Sequence, residues 1–474
     1  MMQDMHKVSA DEVQEAEICI IGAGAAGITL ALELHRQKRN AILLESGGFE
    51  REDDTEELNW GAETQPFLGD LEGARLRFFG GTTNHWGGYS AALEPEDFIA
   101  RDYVEHSGWP IDHDDIVPYY KRALKVLQCP PSVIERAPAR PQLVCRDLVQ
   151  KFRFISPIRM GQTYRKELVD SPYIRILLHA NAVGLEPDGR GVGAVRCATL
   201  KGDNFTVKAK KFVMACGTLE NTRLLQFWQD SPLFDSIRDN GWLGRCFMQH
   251  PPIDLGQLYY SDRYKERMLC KRDNYEDHLA PTPEYRDKHQ ILNFTLGLYN
   301  DQDALWDNEV IPQYMSRLIA ANDPFSVRAQ VRVRTEQMPS HSNYVRLIDK
   351  RDALGVPKLQ INWGLSEMDI KTIKASAQMM ARAAGANSMG VMRYAEWIRE
   401  NTLPDYVWGG YHHMGTTRMS NTAAKGVVDT QCRVHGVENL YVTGGGVFPT
   451  VGWPNPTFTI IALALRLADH LQIR

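Results

Sequence analysis

Apolar positions near the start of the chain change their period twice. A strand is predicted from Glu17 to Ile21, apolar at every position after Glu17. After a glycine-rich turn, Ile28, Ala31 and Leu32 fall at i, i+3 and i+4, which predicts the apolar stripe of a helix. A second apolar strand, Ala41 to Leu44, ends at Glu45. Strand, helix and strand at this spacing predict a βαβ unit with a right-handed crossover.

The middle of the chain has another rhythm. Val327 to Val333 alternates strictly between apolar and polar residues, the mark of a strand buried on one face only. A strand is predicted at Leu359 to Trp363, after the turn Gly355-Val356-Pro357, and a helix from Asp369 to Ala384. Beyond Gly410 the chain returns to glycine-rich turns, with a short strand at Leu440 to Val442 and a closing helix from Thr457. This ending resumes the style of the beginning. The expected class is therefore α/β (α+β overall), with a Rossmann-type domain interrupted by an antiparallel sheet with helices.

Composition narrows the picture by exclusion. The 474 residues are 43% hydrophobic and 24% charged, ample for a large core and ordinary for a globular protein. Lys and Arg total 54 against 59 Asp and Glu, a formal charge of −5, so no net basic field favours nucleic acid or an anionic membrane. Met1 to Glu17 is polar and acidic, without an apolar stretch of signal-peptide length. The longest apolar run, near Phe458 to Leu465, falls far short of the ~20 residues of a membrane helix. The cysteines show no CxxC or CxxCH spacing, which argues against a zinc ribbon or an attached haem. Isolated cysteines suit a reducing compartment, and the cytoplasm is expected.

Gly22-Ala23-Gly24-Ala25-Ala26-Gly27 fits GxGxxG and lies between the first strand and its helix. In such a turn Gly22 permits the tight bend, Gly24 lets a pyrophosphate approach the backbone, and Gly27 lets helix and strand pack closely. The helix start offers free N–H groups to phosphate. Glu45, at the end of the next strand, stands where an acid can bind ribose hydroxyls. GxGxxG alone is weak evidence; in register with strand, helix and acid it predicts a dinucleotide site.

Further segments resemble the glucose–methanol–choline (GMC) oxidoreductases. They are Phe79-Gly80-Gly81-Thr82-Thr83-Asn84-His85-Trp86-Gly87-Gly88, Ser107-Gly108-Trp109-Pro110-Ile111 through Pro118-Tyr119-Tyr120, Val213 to Arg223, and Leu243-Gly244-Arg245 to His250-Pro251. Tyr411-His412-His413-Met414-Gly415-Thr416-Thr417-Arg418-Met419 resembles the family's catalytic-histidine motif, and Phe448-Pro449-Thr450 and Asn455-Pro456-Thr457 follow it. The resemblance runs from about residue 16 to the end and is nearest to the sugar-oxidising branch, which includes pyranose oxidase and the flavin subunits of fructose and gluconate dehydrogenases. It implies an FAD-binding domain over 1–250, with a flavin-covering segment at about 60–130. A substrate domain would lie mainly over 251–404, and 405–474 would return to the first domain. Besides Gly22, Gly24, Gly27 and Glu45, it implies cofactor contacts from Gly81, Asn84, His85, Trp86, Val183, Gly217, Gly445, Pro456 and Thr457. It also implies a covalent bond from His85 to the flavin.

The same resemblance implies that His412 is the general base and Asn455 its paired residue, with His413 as the nearer rival. Oxidising an alcohol removes a proton from oxygen and a hydride from carbon, and a neutral imidazole suits the proton because its ordinary pKa is about 6.5. Asn455 can donate to the substrate oxygen without titrating. The polar face Arg328, Gln330, Arg332 and Arg334 reads first as a solvated sheet face and second as a cavity wall. Trp306, Trp408 and Trp453 read as buried packing, with Trp453 the preferred substrate wall, and His250 beside two prolines reads as a domain junction. The expected substrate is a sugar or glycoside, with a non-sugar primary alcohol second; the electron acceptor is oxygen or a separate acceptor, and a homo-oligomer or a small partner subunit is open. A lyase of the same fold is the alternative enzyme class, and a non-catalytic binding or electron-carrier role is the third reading.

Overall fold

The computed structural model describes residues 1–7, 12–64, 71–134, 146–260, 271–272, 275–300, 327–403 and 407–472. Its first sheet runs in the order Met2–Asp4, Ile174–Leu178, Ala41–Leu44, Val13–Ile21, Asn204–Met214, Gly191–Ala198, Asn181–Asp188. Pairing is parallel as far as Asn204–Met214, which also takes Leu440–Val442 in parallel. The last two strands close the sheet as antiparallel pairs. Ile18 to Ile21 and Ala41 to Leu44 are all buried, as unbroken apolar runs in a covered parallel sheet must be. Helix Ala25–Arg36 packs on the closing helix Thr457–Gln472, which also packs on Val117–Val126.

The second sheet is antiparallel, in the order Gly390–Tyr394, Pro252–Tyr260, Val327–Thr335, Phe294–Asn300, Tyr275–Pro281, Leu148–Ile155, Tyr89–Ser90. It draws strands from both sides of residue 250. Along Val327–Thr335, Ala329, Val331 and Val333 are buried and face a separate apolar core. The other face is not uniform. Arg332 pairs in the open with Asp254 at 2.6 Å, whereas the Arg334 guanidinium is deep enough that burial, with Arg153 nearby, pushes its pKa down to about 10.

Helix Glu367–Ala386 packs on this sheet and buries Ile373, Ala377, Met380, Ala383 and Ala384. Ser366 and Asp369 form a reciprocal capping box at its start, satisfying N–H groups that the helix leaves open. A small third sheet joins Tyr344–Arg351, Pro357–Asn362 and Glu63–Thr64. Among the described residues no helix is long and apolar enough to cross a membrane.

Candidate active site

A cleft opens at the carboxyl ends of the first sheet's central strands, where α/β sheets bind ligands. Gly22 turns there with φ +103°, and a Cβ on it would lie 2.8 Å from the Ala215 oxygen. A Cβ on Gly27 would lie 1.8 Å from the Gly22 oxygen, so Gly27 is the packing glycine and does not line the cleft. Gly24 differs: a Cβ there meets no protein atom within 4 Å, and the helix it starts has no side-chain cap. Its first N–H groups are thus free for an anion.

Glu45 is buried in the cleft wall and accepts from the backbone N–H of Ala23 at 2.9 Å and of Gly47 at 3.2 Å. Burial raises its pKa. Gly81, Trp86, Val183 and Gly217 line the same cleft, as do Gly445, Pro456 and Thr457. The free helix start, the open space over Gly24 and the buried acid fit a dinucleotide such as FAD.

Two residues of the covering loop are placed differently. Asn84 donates from Nδ2 to the Phe79 oxygen at 3.0 Å and so pins the loop's own turn. His85 has an exposed side chain and is not in the cleft lining, whereas its neighbour Trp86 lines the cleft and donates from Nε1 to the Ile158 oxygen at 2.9 Å. The cleft wall also holds a charged network that the sequence did not reveal. Arg77 pairs with Glu220 at 2.7 Å, and Arg223 pairs with both Glu220 and Asp352. Burial alone would raise the Glu220 carboxyl, but Arg77 and Arg223 outweigh it and hold its pKa well down.

His412 and His413 both line the far end of the cleft. Gly410 and Tyr411 precede them with φ of +76° and +59°, a left-handed bend that is strained for tyrosine. The segment is anchored by the bridge between Met248 and Met414, whose backbone groups exchange two hydrogen bonds of 3.0 Å. Thr218 Oγ1 donates to the His413 oxygen at 2.6 Å. His413 itself turns toward Phe247 (ring centroids 5.6 Å apart), and its buried Nε2 has no hydrogen-bond partner among the described residues.

His412 is the hydrogen-bonded one of the two. Its Nε2 lies 3.1 Å from Asn455 Nδ2, and its Nδ1 lies 2.9 Å from His250 Nδ1. Asn455 Oδ1 accepts from Arg153 Nη1 at 2.9 Å, and Arg153 forms a buried ion pair with Glu276. His278 Nε2 stands 3.1 Å from the same carboxylate. Burial lowers the His412 pKa well below the ordinary imidazole value, and His250, Arg334 and Arg153 lower it further by repelling a positive charge. A neutral imidazole with one nitrogen beside an amide N–H can take a proton from a hydroxyl.

Sequence reading brought His412 and Asn455 together but left out Arg153, Glu276 and His250. His250 stands before strand Pro252–Tyr260 and reaches into the site itself. Trp453 is buried and donates from Nε1 to Glu94 at 3.2 Å; Trp408 is half-buried against Tyr411, and Trp306 lies outside the described residues.

Residues 339–464 match the family model described as GMC oxidoreductase. The chain is 25% identical to 2-methyl-1,2-propanediol dehydrogenase of Mycolicibacterium austroafricanum, over 98% of this chain and 96% of that protein. It is 24% identical to 6'''-hydroxyparomomycin C oxidase of Streptomyces lividus, over 98% and 93%. Among solved structures, pyridoxine 4-oxidase from Mesorbium loti shares the fold with a TM-score of 0.59 at 16% identity, covering 97% of this chain and 99% of that one.

Proposed function

We propose, from the premise that this chain belongs to the GMC oxidoreductases and acts on alcohol groups, that it oxidises a hydroxyl of a sugar or glycoside with His412 as general base. The observation that carries the reading is the neutral His412 ring held at the cleft's end with Nε2 beside the Asn455 amide. Bound FAD supplies the acceptor for the hydride that leaves the carbinol carbon. The turn at Gly22 and Gly24, with Glu45, would hold its nucleotide end, and Gly445, Pro456 and Thr457 line the end nearest His412.

His412 Nε2 receives the hydroxyl proton, and Asn455 Nδ2 donates to the substrate oxygen and aims it. Arg153 fixes which way the Asn455 amide points, because a guanidinium only donates and so selects the amide oxygen. Arg334, Glu276 and His278 make the surroundings of this pair polar, which suits a substrate rich in hydroxyls. The relative named for hydroxyparomomycin supports a glycoside, and the one named for 2-methyl-1,2-propanediol supports a small diol as the second reading.

A covalent tie to the cofactor would run through His85. Its exposed ring would have to swing inward, so acid-precipitated protein should release its flavin; a pellet that stays yellow reverses this reading. The six cysteines of the described residues are all free, in keeping with a reducing, cytoplasmic setting.

The test is anaerobic mixing of the FAD-loaded protein with sugars, glycosides, polyols and small diols while the oxidised-flavin absorbance is followed. Bleaching by a sugar or glycoside supports the proposal, and bleaching by diols alone moves the assignment to the second reading. If dithionite bleaches the flavin and no alcohol does, the redox reading fails and the lyase takes its place. Admitting air afterwards separates an oxidase from a dehydrogenase.

A further inference from the structure

A histidine that acts as a base through Nε2 must carry its resting proton on Nδ1, and the surroundings of His412 decide between the two tautomers. Two lines of hydrogen-bond logic start from groups whose roles are fixed. The first starts at the Gly452 carbonyl, which can only accept. His250 Nε2 lies 2.9 Å from it and therefore carries a proton. Burial, helped by Arg334, pushes the His250 pKa down to about 3, so this ring is neutral and its Nδ1 is bare. The group facing that bare nitrogen at 2.9 Å is His412 Nδ1, which must then be the donor.

The second line starts at Arg153, which can only donate. Its Nη1 meets Asn455 Oδ1 at 2.9 Å, which leaves the amide NH₂ to face His412 Nε2 at 3.1 Å. An amide N–H aimed at a ring nitrogen needs a lone pair there. Both lines give one answer: a proton on His412 Nδ1 and a bare Nε2.

We propose that His250 is a positioning residue that sets the tautomer of His412 and keeps Nε2 unprotonated, ready to take the substrate hydroxyl's proton. This rests on the reading of His412 as the base. Backbone register supports the pairing: two residues out from the antiparallel bridge between Met248 and Met414, His250 and His412 fall opposite each other. His250 has no exposed surface, so water does not compete for its Nδ1. When Nε2 takes the hydroxyl proton, the Nδ1 proton stays in its hydrogen bond to His250, and His250 itself neither gains nor loses one.

The first test uses the unmutated holoprotein with ¹⁵N-labelled histidine. Ring-nitrogen shifts should report His412 as protonated on Nδ1 and bare on Nε2, its signals identified by their loss in His412→Ala. A proton on Nε2 overturns the proposal. The second test compares His250→Asn, whose amide oxygen stands where Nδ1 stood, with His250→Leu, which offers no acceptor. With FAD content and Tm checked for both, the anaerobic bleaching rate at saturating substrate should fall ~10²-fold in the leucine variant, the lower end of general-base effects. The asparagine variant should keep most of the rate, and substrate affinity should change little in either. Equal rates in the two variants overturn the assignment. His412→Ala separates the two levels: if it bleaches at the parental rate, the base reading has failed, whereas an inactive His412→Ala beside fully active His250 variants removes only the role of His250.

Discussion

The two ends of the cleft solve different problems with different material. The nucleotide end is made of backbone: Gly22 and Gly27 sit where any side chain would strike Ala215 or Gly22 itself, and Gly24 sits where a ligand needs the room. The proton-handling end is made of side chains from separate segments, with Arg153, His250, Glu276, His412 and Asn455 each held by another member. A backbone site tolerates change almost anywhere except at its glycines. A side-chain network passes a change at one member on to the rest.

The largest effect expected separates two glycines of one turn. Gly27→Ala should cost more than the ~3 kcal/mol usual for overpacking, because its Cβ would lie 1.8 Å from a backbone oxygen, and little FAD-loaded protein should be recovered. Gly24→Ala should fold with nearly the parental Tm and lose cofactor affinity, as read from the ratio of flavin to protein absorbance. If the two behave alike, the division of labour within the turn is wrong.

Next is His412→Ala, which should retain FAD while its anaerobic flavin reduction slows by ~10²–10⁴, the usual worth of a general base. Arg153→Met comes third and probes the network's interdependence. It leaves the buried Glu276 carboxylate with only His278 beside it, which should cost up to ~3–5 kcal/mol in denaturant unfolding. Asn455 should then be free to turn its amide, slowing flavin reduction as well. A variant that loses stability and keeps the parental rate would show that Arg153 holds the fold but not the amide.

The smallest effect is an absence of change with pH. The base works deprotonated, and burial together with His250, Arg334 and Arg153 lowers its pKa. The acid limb of kcat/KM for reduction should therefore lie well below the ordinary imidazole value of about 6.5, and the profile should be flat through that point. An inflection near 6.5 would mean that His412 is better solvated than the structure has it.

What could be read from sequence follows the same division. The strand Glu17 to Ile21, the three glycines and Glu45 are neighbours in the chain, and Gly22 and Gly27 are demanded by local clashes, so the βαβ unit appears in the order predicted. The closing helix begins at Thr457 as expected. The network was out of reach because its members are joined only in space; Arg153 and Asn455 stand 302 positions apart. In Leu148–Ile155, Arg153 looks like any charged residue of a strand. His250 was masked by the two prolines after it, which suggest a junction. Period-two alternation showed that Arg332 and Arg334 share a face but not that one end of the face is open and the other buried. For His85 the motif gave the loop, and the helical turn Gly81–Asn84 with the Asn84 hydrogen bond shapes that loop just before it.

One feature of the first sheet bears on how the protein is made. Asn204–Met214 takes its partner Leu440–Val442 from far along the chain, and helix Ala25–Arg36 lies against Thr457–Gln472. During vectorial synthesis the glycine turn leaves the ribosome long before the wall at Pro456 and Thr457 that completes its cleft. Between the two, the nascent chain must carry an unfinished nucleotide cleft, exposing apolar surface that a chaperone can hold. Cofactor capture can then be completed only after that wall has been made.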